Sequence, residues 1–115
     1  LVRDAELRGE PFMSIERAVH RLTGEVGEWF RLDAGVIAEG RRADLVVVDP
    51  LALDDRLGEA HEAEMEGFGG LRRVVRRNPE TVRAVLINGR VAAQGDVPAA
   101  GLGQVPGFGQ VLRAS

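Results

Sequence analysis

Cysteine, lysine and tyrosine are all absent from this chain of 115 residues. Without cysteine there is neither a disulfide framework nor a thiolate site, which fits a reducing compartment, and we expect a cytoplasmic protein. Without lysine, the chain has no Lys nucleophile, no Schiff base and no Lys-containing phosphate loop. No apolar run approaches the ~18 residues of a membrane-spanning helix, and no signal-peptide pattern opens the chain. The sequence therefore predicts no membrane partner.

The length and the net charge exclude further classes of fold and of binding partner. The length allows one domain, but it excludes an eight-stranded (β/α) barrel, which needs about 200 residues or more. The 18 acidic residues exceed the 15 basic ones, so the net charge is −3, and no nucleic-acid recognition motif is present. We therefore expect no nucleic-acid partner. The first residue is Leu1 rather than Met, and we expect the chain to be a piece of a longer protein.

Two short helices in tandem are predicted near the start, after an irregular entry over residues 1–13. Ser14 occupies an N-cap position, and Ile15, Val19 and Leu22 then recur on one helical face. Thr23-Gly24 interrupts this period. A second short helix follows, with its apolar side formed by Val26, Trp29 and Phe30.

Strand signals begin after residue 31. Leu45–Val48 is an apolar and mostly β-branched run, typical of a strand buried on both faces, and Pro50 ends it. Val36-Ile37 is predicted as a short extended piece and residues 51–70 as a long acidic loop with one helical turn. Residues 71–77 fit a helix or an edge strand equally well.

The clearest local signal is Asn88-Gly89 between two apolar runs, which predicts a hairpin with a type I′ turn. Residues 95–115 are rich in Gly and Pro and are expected to wrap the surface. The predicted fold class is α+β: a helical segment over residues 1–31, then a small β-rich, sandwich-like domain over residues 32–115.

Neither histidine is predicted to bind a metal. His20 and His61 are 41 residues apart, and neither has a second His at the spacing that a zinc site requires. We expect His20 on the polar surface of the first helix and His61 in a solvated acidic loop.

An arginine cluster is the strongest binding candidate, because guanidinium groups match phosphate and carboxylate geometry. The aromatic residues do not interleave with it, and we expect it to pair with the acidic loop or with a partner surface. Its members are Arg72, Arg73, Arg76, Arg77 and Arg83.

Two other candidates have structural interpretations. Gly67-Phe68-Gly69-Gly70 has no strand before it, so a phosphate loop is not predicted there. Asp44 and Asp49 flank the predicted strand, where turn and cap roles are expected. From the residues alone, the chain has no complete active site.

Four runs, 14–23, 32–50, 81–91 and 106–113, resemble the C-terminal end of metal-dependent amidohydrolases. The pattern Gly35-x-Ile37-x-x-Gly40-x-x-Ala43-Asp44-Leu45-Val46 is similar to the run with which that superfamily enters its small β domain. The ending, residues 106–113, is similar to the D-aminoacylase (N-acyl-D-amino-acid deacylase) branch. The resemblance covers almost all of residues 13–113.

The resemblance implies that the parent protein hydrolyses amide C–N bonds, of N-acyl-D-amino acids in that branch, with zinc or another divalent metal activating water. It also implies that the first helix closes a barrel absent from this chain. Residues 32–115 would then form the C-terminal part of a composite β domain. No family ligand motif lies in these residues, so we assign no catalytic, cofactor-binding or metal-binding residue.

Two functions remain open. In the first, the chain is an inactive C-terminal structural segment whose partner is the N-terminal and barrel part of the same protein, with a homo-oligomer contact also open. In the second, it is a stand-alone, non-enzymatic binding module that uses the arginine cluster. The first predicts an uncovered apolar face around Leu45–Val48 and Trp29.

Overall fold

The computed structural model describes residues 2–65 and 69–114, which form a mixed α+β fold with antiparallel sheets and no barrel. The helices precede the strands. The elements are α1 (Val2–Leu7), α2 (Ile15–Leu22), α3 (Gly24–Trp29), β1 (Leu45–Val48), β2 (His61–Glu64), β3 (Arg72–Val75), β4 (Val82–Ile87), β5 (Arg90–Gln94) and β6 (Val97–Pro98), with 3₁₀ turns at Pro50–Ala52 and Asp55–Gly58.

Both predicted helices are confirmed as α2 and α3. The Ser14 hydroxyl accepts a hydrogen bond from the Arg17 amide at 3.1 Å, as expected of an N-cap. The irregular entry predicted over residues 1–13 is wrong, because α1 occupies part of it. This helix has an acidic residue, Asp4, in its first turn, where the positive end of the helix dipole favours it.

Four strands form the larger sheet, in the order β1-β4-β5-β6, with antiparallel pairing throughout. The predicted hairpin is confirmed as β4 and β5. Its turn residues, Asn88 and Gly89, have φ angles of 52° and 76°, the positive values that a type I′ turn requires. This sheet is the scaffold on which β1 is presented.

A smaller sheet consists of β2 and β3 alone. Residues 71–77, which fitted a helix or an edge strand, contain the strand β3. The loop predicted over residues 51–70 is wrong over residues 61–64, where β2 forms. That stretch was hard to predict because His61–Glu64 is mostly polar, and its strand conformation depends on pairing with β3. Val36-Ile37, predicted as a short extended piece, is not part of either sheet. Within the described ranges the two sheets do not pack on each other.

Burial is where the structure departs most from expectation. Leu45–Val48 is a strand, but the prediction that it is buried on both faces is wrong, since Val46 and Val47 are 58% and 48% exposed. The chain exposes 9094 Å², against roughly 6,100 Å² for a folded protein of this mass. Its radius of gyration is 16.3 Å, against about 13 Å for a compact domain. Few side chains are buried because the helices and the two sheets cover little of one another's surface.

No helix in the described residues is long and apolar enough to cross a bilayer.

Candidate functional site

An apolar groove lies between α2 and β1. It has a volume of about 250 Å³. Val19 of α2 lies on one side and Val46 and Val48 of β1 on the other, with Val36 and Ile37 also in the lining. Most of these side chains remain exposed, up to 87% for Ile37. The groove is therefore an unfilled apolar surface, which soluble proteins use for docking.

Close backbone contacts position the segment that contributes Ala34 and Gly35 to the lining of this groove. A Cβ added to Gly35 would lie 2.4 Å from the Thr23 carbonyl oxygen, and one added to Gly27 would lie 2.4 Å from that of Ala34. The Leu32 amide also donates to the Gly27 carbonyl at 2.8 Å. Only glycine fits at such distances, so these contacts hold residues 32–35 against the junction of α2 and α3.

Further exposed apolar side chains lie on α2 and α3. Trp29 is 81% exposed and stacks at a tilt on Phe30, with 5.4 Å between ring centroids. Leu22 and Val26 are exposed as well. We call this helical surface together with the groove and the exposed side of β1 the apolar surface. The apolar surface includes the region around Leu45–Val48 and Trp29. That region is predicted to be uncovered if the chain is a structural segment of a larger protein.

Strand β1 is fixed to the sheet at its entry. The Asp44 carboxylate accepts a hydrogen bond from the Asn88 amide at 2.6 Å, and the Gly89 amide donates to the Ala43 carbonyl at 2.8 Å. The Arg42 Nε atom lies 3.7 Å from the same Asp44 carboxylate. Asp44 therefore holds the hairpin turn between β4 and β5, whereas its role was expected at the turn before its own strand.

At the other end of β1, Asp49 accepts from the Leu51 amide at 3.0 Å. Its expected cap role is confirmed.

The chain end folds back onto the hairpin. Phe108 is only 8% exposed, and the Arg90 guanidinium lies over its ring at 4.3 Å. The Gln110 carboxamide lies against the Arg42 guanidinium. Residues 107–110 therefore hold β5 and the entry to β1 together. Sequence reasoning missed this contact, since neither residue type nor spacing pairs Arg90 with Phe108.

Both histidines lie on the surface. His20 is on the polar face of α2, as expected, and its Nδ1 atom lies 3.6 Å from the Glu25 carboxylate, which also pairs with Arg17 at 2.6 Å. His61 begins β2, directly opposite Val75, so its predicted loop placement is wrong.

The structure does not gather the arginine cluster into one site. Arg72 lies 3.5 Å from Glu62, which agrees with the expected pairing to the acidic segment. Arg77 and Arg83 line two different grooves. Gly67 and Phe68 of the glycine-rich run lie outside the described residues.

Local hydrogen bonds lower the pKa values of two carboxyl groups, those of Asp54 and Glu16. The Arg56 guanidinium and its backbone amide hold the pKa of Asp54 below its ordinary value, and Asp54 in turn raises the pKa of Arg56. A hydrogen bond from its own backbone amide, then one from Ser14, lowers the pKa of Glu16. All three groups are fully exposed at turns or at a helix start, where such hydrogen bonds stabilise local structure.

In the part of the chain that the structure describes, the side chains do not form a site for a catalytic metal. Across residues 2–65 and 69–114, no three His, Asp or Glu side chains converge as a ligand set.

Uncharacterized proteins of Mycobacterium bovis and Mycobacterium tuberculosis are each 50% identical to this chain over 93 residues. The match covers 81% of the chain but 15% of each relative, so the chain spans about 15% of their length. Since 93 residues are 15% of a relative, each relative has about 620 residues (93/0.15). No family model matches the chain, and no solved structure matches it significantly.

Proposed function

We propose that these residues form the C-terminal structural segment of a metal-dependent amidohydrolase of the D-aminoacylase branch. The whole enzyme would hydrolyse the amide C–N bond of N-acyl-D-amino acids in the cytoplasm. The segment itself is not catalytic. It supports the barrel through α2 and α3 and contributes β1 to a composite, sandwich-like β domain whose remaining strands come from elsewhere in the protein.

The observation that carries the proposal is the location of the apolar surface. It lies on α2, α3 and β1, the elements that the resemblance places against the barrel and within the composite β domain. Without the rest of the enzyme, Trp29 and Val46 are 81% and 58% exposed to water. Burying them against the barrel and the composite β domain would be favoured by the hydrophobic effect.

The length of the relatives also supports the proposal. A (β/α)₈ barrel takes about 250 residues, and each relative extends far beyond the 93 matched residues. There is therefore room for a barrel, a metal site and further strands. When bound, the metal would activate water for attack on the amide carbon. Its ligands would come from the barrel, since the described residues contain no such set.

The alternative, a binding module built on Arg72–Arg83, has less support. A phosphate or carboxylate site needs guanidinium groups that converge on one ligand, whereas Arg72 pairs with Glu62 and Arg77 and Arg83 line separate grooves.

The test begins with the coding DNA upstream of Leu1. The proposal expects an open frame of about 250 residues or more, enough for a barrel, with a His-x-His motif after an early apolar strand. The product of that frame, loaded with zinc, is then assayed against N-acetyl-D-amino acids, with the L-enantiomers as controls.

The full-length product should hydrolyse the D-substrates, while residues 1–115 alone should show no turnover and bind no zinc stoichiometrically. Turnover by the isolated chain, or a start codon immediately before Leu1, would overturn the proposal.

A further inference from the structure

Asparagine occurs twice in the chain, and the two asparagines differ in the residue that follows them. Asn88 is followed by Gly89, and Asn78 is followed by Pro79. An asparagine side chain loses ammonia when the backbone nitrogen of the next residue attacks its carbonyl carbon and closes a succinimide ring. Glycine favours this attack because it has no side chain to hinder it, whereas the proline nitrogen has no hydrogen to give up. Of the two, Asn88 has the following residue that suits the reaction.

The structure also exposes this asparagine to water. Asn88 and Gly89 are both exposed in the turn between β4 and β5, whereas Asn78 and Pro79 are half-buried. Water is the reactant that opens a succinimide ring once it has formed. The hairpin turn therefore combines a suitable sequence with access to that reactant.

Two hydrogen bonds to the entry of β1 oppose ring closure. The Gly89 amide, whose hydrogen must leave before its nitrogen can attack, donates to the Ala43 carbonyl at 2.8 Å. The Asn88 amide donates to the Asp44 carboxylate at 2.6 Å. The first hydrogen bond stabilises the protonated Gly89 amide, and the carboxylate charge disfavours a second negative charge on the adjacent backbone nitrogen. Residues 43 and 44 therefore protect both amides of the turn.

We infer that Asn88 is a deamidation site controlled by residues 43 and 44, slow to react while they hold the turn and fast when the entry to β1 opens. The Gly89 nitrogen bonds to the side-chain carbonyl carbon of Asn88, and the side-chain nitrogen leaves as ammonia with the proton from Gly89. Water then adds to one of the two ring carbonyls. The result is aspartate or isoaspartate in place of Asn88.

The product weakens the contacts that protect the turn. Either form carries a carboxylate next to that of Asp44, and the two like charges repel each other. Isoaspartate also adds one carbon to the backbone of a turn whose two φ angles are 52° and 76°. Deamidation therefore loosens the attachment of β1 to the hairpin and makes a transient opening permanent. This inference does not depend on the proposed reaction.

The test follows deamidation of the full-length protein at mildly alkaline pH, folded in buffer and unfolded in urea. Trypsin cleaves after arginine, so it places Asn88 in the peptide 84–90 and Asn78 in the peptide 78–83. Mass spectrometry of the two peptides gives the fraction in which the amide has become a carboxylate. Asn78 is the internal control in every sample.

Two variants test the role of the β1 entry. Asp44→Ala removes the acceptor of the Asn88 amide together with the charge. Asp49→Ala is the matched control, because it removes a carboxylate from the other end of β1, where the acceptor serves the Leu51 amide. Circular dichroism establishes that each variant is folded under the conditions of the assay.

We expect Asn88 to deamidate about tenfold or more faster in urea than in the folded protein, and Asn78 to stay intact in both. In the folded protein, Asp44→Ala should raise the rate at Asn88 about fivefold, and Asp49→Ala should leave it unchanged. Equal rates in the folded and unfolded protein, or equal rates in folded Asp44→Ala and the parent, would overturn the inference. The comparison with urea needs no variant, so it decides the question even where Asp44→Ala does not fold.

Discussion

Gly35 is the residue on which the shape of the groove depends most directly. Its φ angle is 88°, and a Cβ there would lie 2.4 Å from the Thr23 carbonyl oxygen. Gly40 also has a positive φ, 75°, but nothing lies within 4 Å of an added Cβ. We expect Gly35→Ala to destabilise the fold by at least about 2 kcal/mol, because strain and a backbone clash combine, and Gly40→Ala by about 1 kcal/mol from strain alone. Urea unfolding followed by circular dichroism gives both values. Equal losses would contradict the proposed contact.

Asp44 is a second residue with a local effect, because its carboxylate accepts a hydrogen bond from a single backbone amide. Asp44→Ala removes the acceptor of the Asn88 amide, so we expect that amide to exchange faster and stability to fall by about 1 kcal/mol. Asp49→Ala is the matched control, since its carboxylate accepts from the Leu51 amide instead. Exchange measured by NMR should change at Asn88 in the first variant only. Unchanged exchange at Asn88 in both variants would show that Asp44 does not hold the turn.

Among the elements, the chain end is held by one aromatic side chain. Phe108 is 8% exposed beneath the Arg90 guanidinium, whereas Phe12 is 55% exposed. We expect Phe108→Ala to cost about 3 kcal/mol, Arg90→Ala about 1 kcal/mol, and Phe12→Ala less than about 0.5 kcal/mol. Limited proteolysis should then cut after residue 100 in the Phe108 variant before it does so in the parent chain. Similar cleavage in the Phe12 and Phe108 variants would mean that the end is not anchored there.

Elements specified by local chemistry were predictable, and those specified by pairing were not. Ser14 caps α2, and Asn88-Gly89 closes the hairpin, because short-range backbone requirements select those residues. His61–Glu64 becomes a strand only by pairing with β3, so its polar sequence gave no signal. The apolar pattern of Leu45–Val48 correctly indicated a strand but not its exposure, since a pattern shows which face favours burial and not what covers it.

At the scale of the whole molecule, the surface is the central feature. The chain exposes about one and a half times the area expected for its mass, and the exposed large apolar side chains include several on α2, α3 and β1. Exposed apolar surface of this extent lowers solubility and promotes association. We propose that this surface contacts the rest of a larger amidohydrolase, so we expect the isolated residues not to behave as an independent domain.

This expectation can be tested by hydrophobic-dye fluorescence and light scattering of purified residues 1–115, measured over a concentration series. We expect dye binding with concentration-dependent self-association, and a weaker dye signal when Trp29 and Val47 are replaced by Ser. A monomer at every concentration that binds no dye and unfolds in one cooperative transition would be an independent module, and the proposed role as a structural segment would be wrong.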